Sequence, residues 1–421
     1  MGLAAASLAL PRALSFDAWS WLVWGRELGR LDLHTVGGPA WKPLPALVDA
    51  VLAPLESAAP VLWLFVVRVA ALLALVVAFR LGKRLGGTVG GVVAVVGLVF
   101  ERDAFSSVGL GTSEWLLGLF VLVAVERALS GRERQGFVAL YGAALLRPEA
   151  WVFLAGFGAW LVWRDRRAWW WVVGLGALLP VVWFGADLWG AGDLGRSSAR
   201  AKLPDRTSLR GLPGAEERIA PVLLEELIPP VLAGVVLALA RGERMVRCLA
   251  WGGLAWIALD LLLVLVGGYA GSTRYFFGAF AVLAVAAGGA WGRVLAGRPR
   301  WVVVGAVLVL ASAVGRAIEW APDARSVGRA ASLRVHLIEG VRAAGGRGRL
   351  LGCGRVASQS AQVSLVAWTL DVRLASLATR AGPGPVLQAE GTARQPGLAP
   401  PVDPARPTWA RAGPWRIRGC R

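Results

Sequence analysis

Apolar runs close to the length that carries a helix across a bilayer, about 20 residues, recur along this chain with short arginine clusters between them. Such runs can satisfy their backbone hydrogen bonds in lipid only as helices, or as strands of a closed barrel. Their unbroken apolar character favours helices. Of 421 residues, 56% are apolar and 17% charged, a balance that excludes a water-soluble enzyme. The fitting segments are 1–14, 61–80, 85–100, 113–128, 136–147, 150–163, 168–187, 226–241, 248–267, 275–292 and 300–316. The expected fold class is therefore an all-α polytopic membrane protein with about eleven spans, followed by a small α/β domain.

The net charge of +18 would ordinarily suggest nucleic acid. Here the basic residues sit between apolar runs and read as topology determinants, so no nucleic-acid partner is expected. Lysine occurs only at Lys42, Lys83 and Lys202, and this arginine bias, with abundant alanine and glycine, points to a GC-rich bacterial genome. The stretch 136–163 decides the topology. Read as two helices broken at Leu146-Arg147-Pro148-Glu149, it keeps five clusters inside: Arg80/Lys83/Arg84, Arg127/Arg132/Arg134, Arg164/Arg166/Arg167, Arg241/Arg244/Arg247 and Arg293/Arg298/Arg300. Pro148 disfavours helix at Arg147 and supplies the turn. The N-terminus is then cytoplasmic, residues 1–14 reading as the end of a first span. The loops 15–60, 101–113 and 188–225 and a soluble domain over 317–421 lie outside a bacterial plasma membrane. In that domain 363–373 reads as β-like.

Cys353 and Cys420 lie near its start and end. Outside the cytoplasm they can form a disulfide closing a loop of about 68 residues; two free thiols are the alternative. No CxxC pair occurs and histidine is scarce, so no soft-ligand metal site is specified. P-loop, HExxH and GxSxG signatures are absent.

Ionisable residues at the outer helix ends carry what chemistry the sequence offers. Asp17 follows the first run within Phe16-Asp17-Ala18-Trp19, well placed to deprotonate an acceptor hydroxyl at the membrane surface. Lys42, between Trp41 and Pro43, suits a lipid phosphate or plain snorkelling to headgroups. Glu114 falls in a first helical turn, where capping is the simpler role. Arg147 and Glu149 flank a proline in a turn where charges are costly and usually paired or functional. Arg196, Arg200, Lys202, Arg206 and Arg210 form the one dense basic group expected outside, which an anionic ligand would explain. Arg274 stands at the outer end of a helix, and Arg68 and Asp260 lie within helices, paired or lining a cavity.

Together these motifs resemble the GT-C superfamily of integral membrane glycosyltransferases, which includes protein O-mannosyltransferases, aminoarabinose transferases and actinobacterial mannosyl- and arabinosyltransferases. The match rests on Phe16-Asp17-Ala18-Trp19, Gly111-Thr112-Ser113-Glu114, Leu146-Arg147-Pro148-Glu149 and Thr273-Arg274-Tyr275. The resemblance implies a polyprenyl-phosphate-linked sugar donor and a cell-envelope glycan, lipid or protein as acceptor. It implies Asp17 as base, Glu114 as a second acid, and Lys42, Arg147 and Arg274 as phosphate or sugar contacts. The polar environment adds Glu149, Arg200 and Lys202 to the donor-binding set. Many relatives carry paired acids in the first loop, whereas Ala18 follows Asp17 here, so no metal or other cofactor is expected. The alternative function is a transporter or flippase of lipid-linked precursors, with Arg68 and Asp260 on its pathway.

Overall fold

The computed structural model describes residues 1–203, 208–209, 219, 224–390 and 405–420. Helices follow the apolar runs: α1 (Gly2–Ser7), α2 (Phe16–Gly29), α3 (Pro43–Leu52), α4 (Ala59–Val99), α5 (Ala104–Gly109), α6 (Glu114–Leu129), α7 (Glu133–Ala144) and α8 (Ala150–Arg164). They continue with α9 (Trp169–Ala191), α10 (Arg196–Ala201), α11 (Pro229–Arg241), α12 (Arg244–Leu265), α13 (Phe277–Val294) and α14 (Pro299–Ala343). Among the described residues, five helical stretches are long and apolar enough to cross a membrane: Pro43–Val99, Arg166–Ala191, Arg244–Leu265, Thr273–Val294 and Pro299–Ala343. Helices α8 and α11 are apolar but shorter.

Two interruptions set the path of the chain. The expected segments 61–80 and 85–100 lie in one helix, α4, whose regular backbone breaks at Gly86 and Gly87. Gly87 has φ 67° and ψ −167°, a conformation closed to residues with a Cβ. The second interruption is the break at Pro148, where α7 stops at Ala144 and α8 starts at Ala150. Within 1–14 only the six residues of α1 are helical. Arg68 of α4 anchors the chain that follows, donating to the Ser7 carbonyl and, at 3.4 Å, to the Pro11 carbonyl. Its role is thus structural pairing.

Helix α13 is the centre of the bundle: 89% of its apolar window is buried, against 11% for α9 and for α14. It packs on α4 through glycines, with Gly86 and Gly90 opposite Gly288, Gly289 and Gly292, while Gly82 lies against Gly90 across the kink of α4 itself. A Cβ on Gly86 would stand 2.8 Å from the Gly288 carbonyl oxygen, and one on Gly90 2.7 Å from the same atom. Small residues let helix backbones touch where apolar burial between helices drives nothing. Gly288→Leu is therefore expected to cost about 1–3 kcal/mol or more by overpacking, read as a lower unfolding midpoint in detergent. Gly252→Leu on α12, where a Cβ meets nothing within 4 Å, leaves the midpoint unchanged.

Helix α14 passes the expected end of the last span at 316 and runs on to Ala343. Beyond it lie α15 (Gly346–Gly352), β1 (Ala357–Ser358), α16 (Val363–Thr369), β2 (Val386–Ala389), β3 (Thr408–Ala412) and β4 (Trp415–Arg418). The strands form one sheet in the order β1-β2-β4-β3, with β1 parallel to β2 and the other pairs antiparallel. The buried Trp415 indole donates to the Leu333 carbonyl at 2.8 Å and ties this sheet to α14. The β-like reading of 363–373 is corrected: Val363–Thr369 is a helix, and its buried face seats on α2. Valine-rich composition marks a residue that fits a half-buried surface, and tertiary packing chose the helix. Ser364 shares a 2.7 Å hydroxyl contact with Ser20, and Trp368 lies 6.2 Å from Trp19 between ring centroids. Cys353 and Cys420 are disulfide-bonded, with Cα atoms 6.2 Å apart.

Candidate functional site

Five helix ends meet at one end of the bundle, and each brings one of the expected ionisable residues. Ser15 caps α2, its hydroxyl accepting from the Ala18 N–H at 3.2 Å, which places Asp17 in a first turn where the helix dipole favours a carboxylate. Asp17 is buried and accepts from Arg274 at 3.0 Å, just before α13. Glu114, the first residue of α6, is 1% exposed and is held by Arg147 of the Pro148 turn at 3.2 Å. The same Arg147 nitrogen lies 3.5 Å from the Arg274 carbonyl, and its guanidinium stacks on the Tyr275 ring at 4.0 Å. Lys42, immediately before α3, donates to the Ser113 hydroxyl at 2.9 Å and lies 5.3 Å from the centre of the Trp21 ring. Ser113 occupies the cap position of α6 without capping it. Its hydroxyl serves Lys42 instead.

Asp17, Lys42, Glu114, Arg147 and Arg274 therefore converge, three cations against two carboxylates. Lys42, Arg274 and Arg147 all act electrostatically on Glu114. Burial, reinforced by Arg147 and Arg274, pulls the Lys42 ammonium down from 10.5 to about 7. An arriving phosphate would offset that repulsion and draw a proton onto the amine. Affinity for a phosphate anion at Lys42 should then fall up to about tenfold per pH unit above pH 7, as measured by binding of a phosphate probe between pH 6 and 9, and Lys42→Met should flatten that profile. Without ligand the sign reverses for folding. The unfolded chain binds the Lys42 proton between about 7 and 10.5 and the folded one does not, so this group makes stability rise with pH across that window.

The remaining expected residues are placed differently. Glu149 is buried, but it is the first charge felt by Asp260, ahead of Arg147, and so belongs to the flank of the group. Arg200 and Lys202 are exposed in and just after α10, and no contact brings either to Asp17 or Glu114 among the described residues. Arg206 and Arg210 lie outside the described residues. The neighbouring Arg196 is instead half-buried and donates to the carbonyls of Pro39 and Gly37, both at 2.6 Å. Burial, more than offsetting Asp187, lowers its guanidinium to about 10. It stitches the 188–203 segment to the first loop. Ser113, Trp21 and Tyr275 complete the group without having been singled out for these contacts. Only their adjacency to Glu114 and Arg274, and the tryptophan density of the first loop, pointed to them.

No family model and no curated protein matches the sequence. Solved structures do. ArnT from Cupriavidus metallidurans bound to undecaprenyl phosphate superimposes with a TM-score of 0.57 at 14% identity, over 99% of this chain and 96% of that one. The apo form of the same protein gives 0.57 and 14%, over 99% and 95%. At that identity the likeness is one of fold, and it extends over nearly the whole of both chains: this chain has the fold of ArnT.

Proposed function

We propose that the chain is a membrane glycosyltransferase of the GT-C type, moving a sugar from a polyprenyl-phosphate donor to a cell-envelope glycan, lipid or protein. The observation that carries this reading is the convergence of a buried carboxylate, Asp17, with Lys42, Arg147 and Arg274 on an ArnT-like fold. In the reaction, the acceptor oxygen attacks the anomeric carbon while Asp17 takes its proton. The bond from that carbon to the donor phosphate breaks, and its electron pair leaves on polyprenyl phosphate. The leaving group needs cations more than a proton, which Lys42, Arg147 and Arg274 supply. The Arg274–Asp17 pair gives the order of events. A phosphate competes for Arg274 and frees the Asp17 carboxylate only once the donor is in place. Glu114 holds Arg147 and Lys42 together between turnovers. The reading needs no metal at Asp17.

The same reading includes about eleven crossings with the N-terminus cytoplasmic, a transmembrane unit over 1–316 and an extracytoplasmic unit over 317–421. The interruptions at Gly86-Gly87 and Pro148 support the crossings, and the Cys353–Cys420 disulfide supports an oxidising location for the C-terminal unit. The test uses the purified protein in liposomes with a panel of labelled polyprenyl-phosphate pentoses and hexoses. Acceptor-dependent release of polyprenyl phosphate is expected. Lipid movement between leaflets with no release would replace this reading by the flippase.

A further inference from the structure

Outside the group around Asp17, three carboxylates face one another where α4 hands over to α5. Glu101, Asp103 and Glu226 each offer an oxygen, and these oxygens lie within 4.8 Å of one another. Glu101 is 0% exposed and Glu226 1%. No N–H or hydroxyl donates to either oxygen of Glu101 or to one oxygen of Glu226, and these two carboxyl groups approach within reach of a shared proton. The nearby arginines act on the cluster only from outside it: Arg102 pairs with Glu225 and Arg316 with Glu319 at 2.7 Å, and both draw on Glu226 electrostatically. Buried carboxylates of like charge are costly to hold together. A fold keeps such a cluster when something positive sits in it.

We propose that Glu101, Asp103 and Glu226 bind a divalent, oxygen-preferring cation. The donor set is all carboxylate, without nitrogen or sulfur, which selects hard ions over zinc or copper. Asp17 is not a ligand. The ion's influence on the reaction is one of positioning: Asp103 accepts from the Thr273 hydroxyl at 2.8 Å, and Thr273 precedes Arg274, the partner of Asp17. The site also clamps the loop after α4 to the segment leading into α11, where the Arg102 N–H donates to the Glu226 carbonyl at 3.1 Å.

The experiment uses the full-length protein in detergent, stripped with a chelator and then exposed to calcium, magnesium, manganese or potassium. Retained metal is measured by mass spectrometry and stability by thermal unfolding. Wild type should retain about one divalent ion per chain and unfold several degrees later with it, by ligand linkage, with no effect of potassium. Glu101→Gln and Asp103→Asn should each lose the ion and the shift, and stripped Glu101→Gln should unfold later than stripped wild type because the repulsion is gone. If Glu101→Gln does not fold, Asp103→Asn carries the comparison, since it keeps an acceptor for Thr273. The proposal is overturned if wild type retains no divalent ion and shows no shift, or if both variants keep the shift. It is equally overturned if stripped protein is stabilised by mild acid with no response to cations, since a proton shared between Glu101 and Glu226 then fills the role. None of these readouts requires a donor, so they stand whether or not sugar transfer is found. Only the consequence for Arg274 rests on the proposed function.

Discussion

Asp17→Asn should lower sugar transfer by about two to four orders of magnitude, the usual share of a positioned general base, and do so in kcat with little change in donor affinity. The substitution keeps shape and one acceptor oxygen while removing the charge that takes the proton. Arg274 loses its 3.0 Å partner but is 27% exposed at its side chain, so the protein should stay folded with an unfolding midpoint near that of wild type. Donor affinity should hold or rise, because the phosphate no longer competes with a carboxylate for Arg274. Turnover of the labelled donor, paired with a direct measurement of polyprenyl-phosphate binding, separates the two effects. Normal turnover in this variant would remove Asp17 from the mechanism.

The largest effect on stability is expected at Glu114. Its carboxylate is 1% exposed and sits among Lys42, Arg147 and Arg274. Glu114→Ala leaves a buried guanidinium without its 3.2 Å partner and places the three cations in mutual repulsion. Breaking a buried ion pair from one side costs about 3–5 kcal/mol. The double variant Glu114→Leu/Arg147→Met removes both charges and should recover much of that loss, because well-packed apolar residues replace a desolvated pair at little cost. Thermal unfolding of the two variants decides it: equal losses in both would mean that the pair contributes packing and not charge. Transfer activity should be lost in both, since Arg147 is gone or displaced.

The residues around Asp17 were legible in the sequence for a common reason. Asp17, Glu114, Arg147 and Arg274 are ionisable groups at the ends of apolar runs, where an unpaired charge is costly enough to signal a role. Once the Pro148 break fixed which helix ends share a side, their convergence followed from topology. The carboxylate cluster was hidden because Glu226 comes from a segment 123 residues beyond Asp103, and nothing in Leu224-Glu225-Glu226 separates a ligand from a solvated acid. Arg196 was grouped with Arg200 and Lys202 by composition. What distinguishes it is the carbonyls of Gly37 and Pro39, a loop contact that no periodicity encodes. The helix at 363–369 was misjudged because its environment is α2, and the face it presents there outweighs the β preference of its valines.

That contact between α16 and α2 joins the two ends of the chain: Ser20 meets Ser364, and Arg26 binds Asp371 at 2.8 Å. Every long apolar helix lies between α2 and this cover in the chain, so all of them are made before the contact can form. A contact of such sequence separation forms late. The helix bearing Asp17 thus gains its cover late in folding, from a residue 344 positions further along the chain.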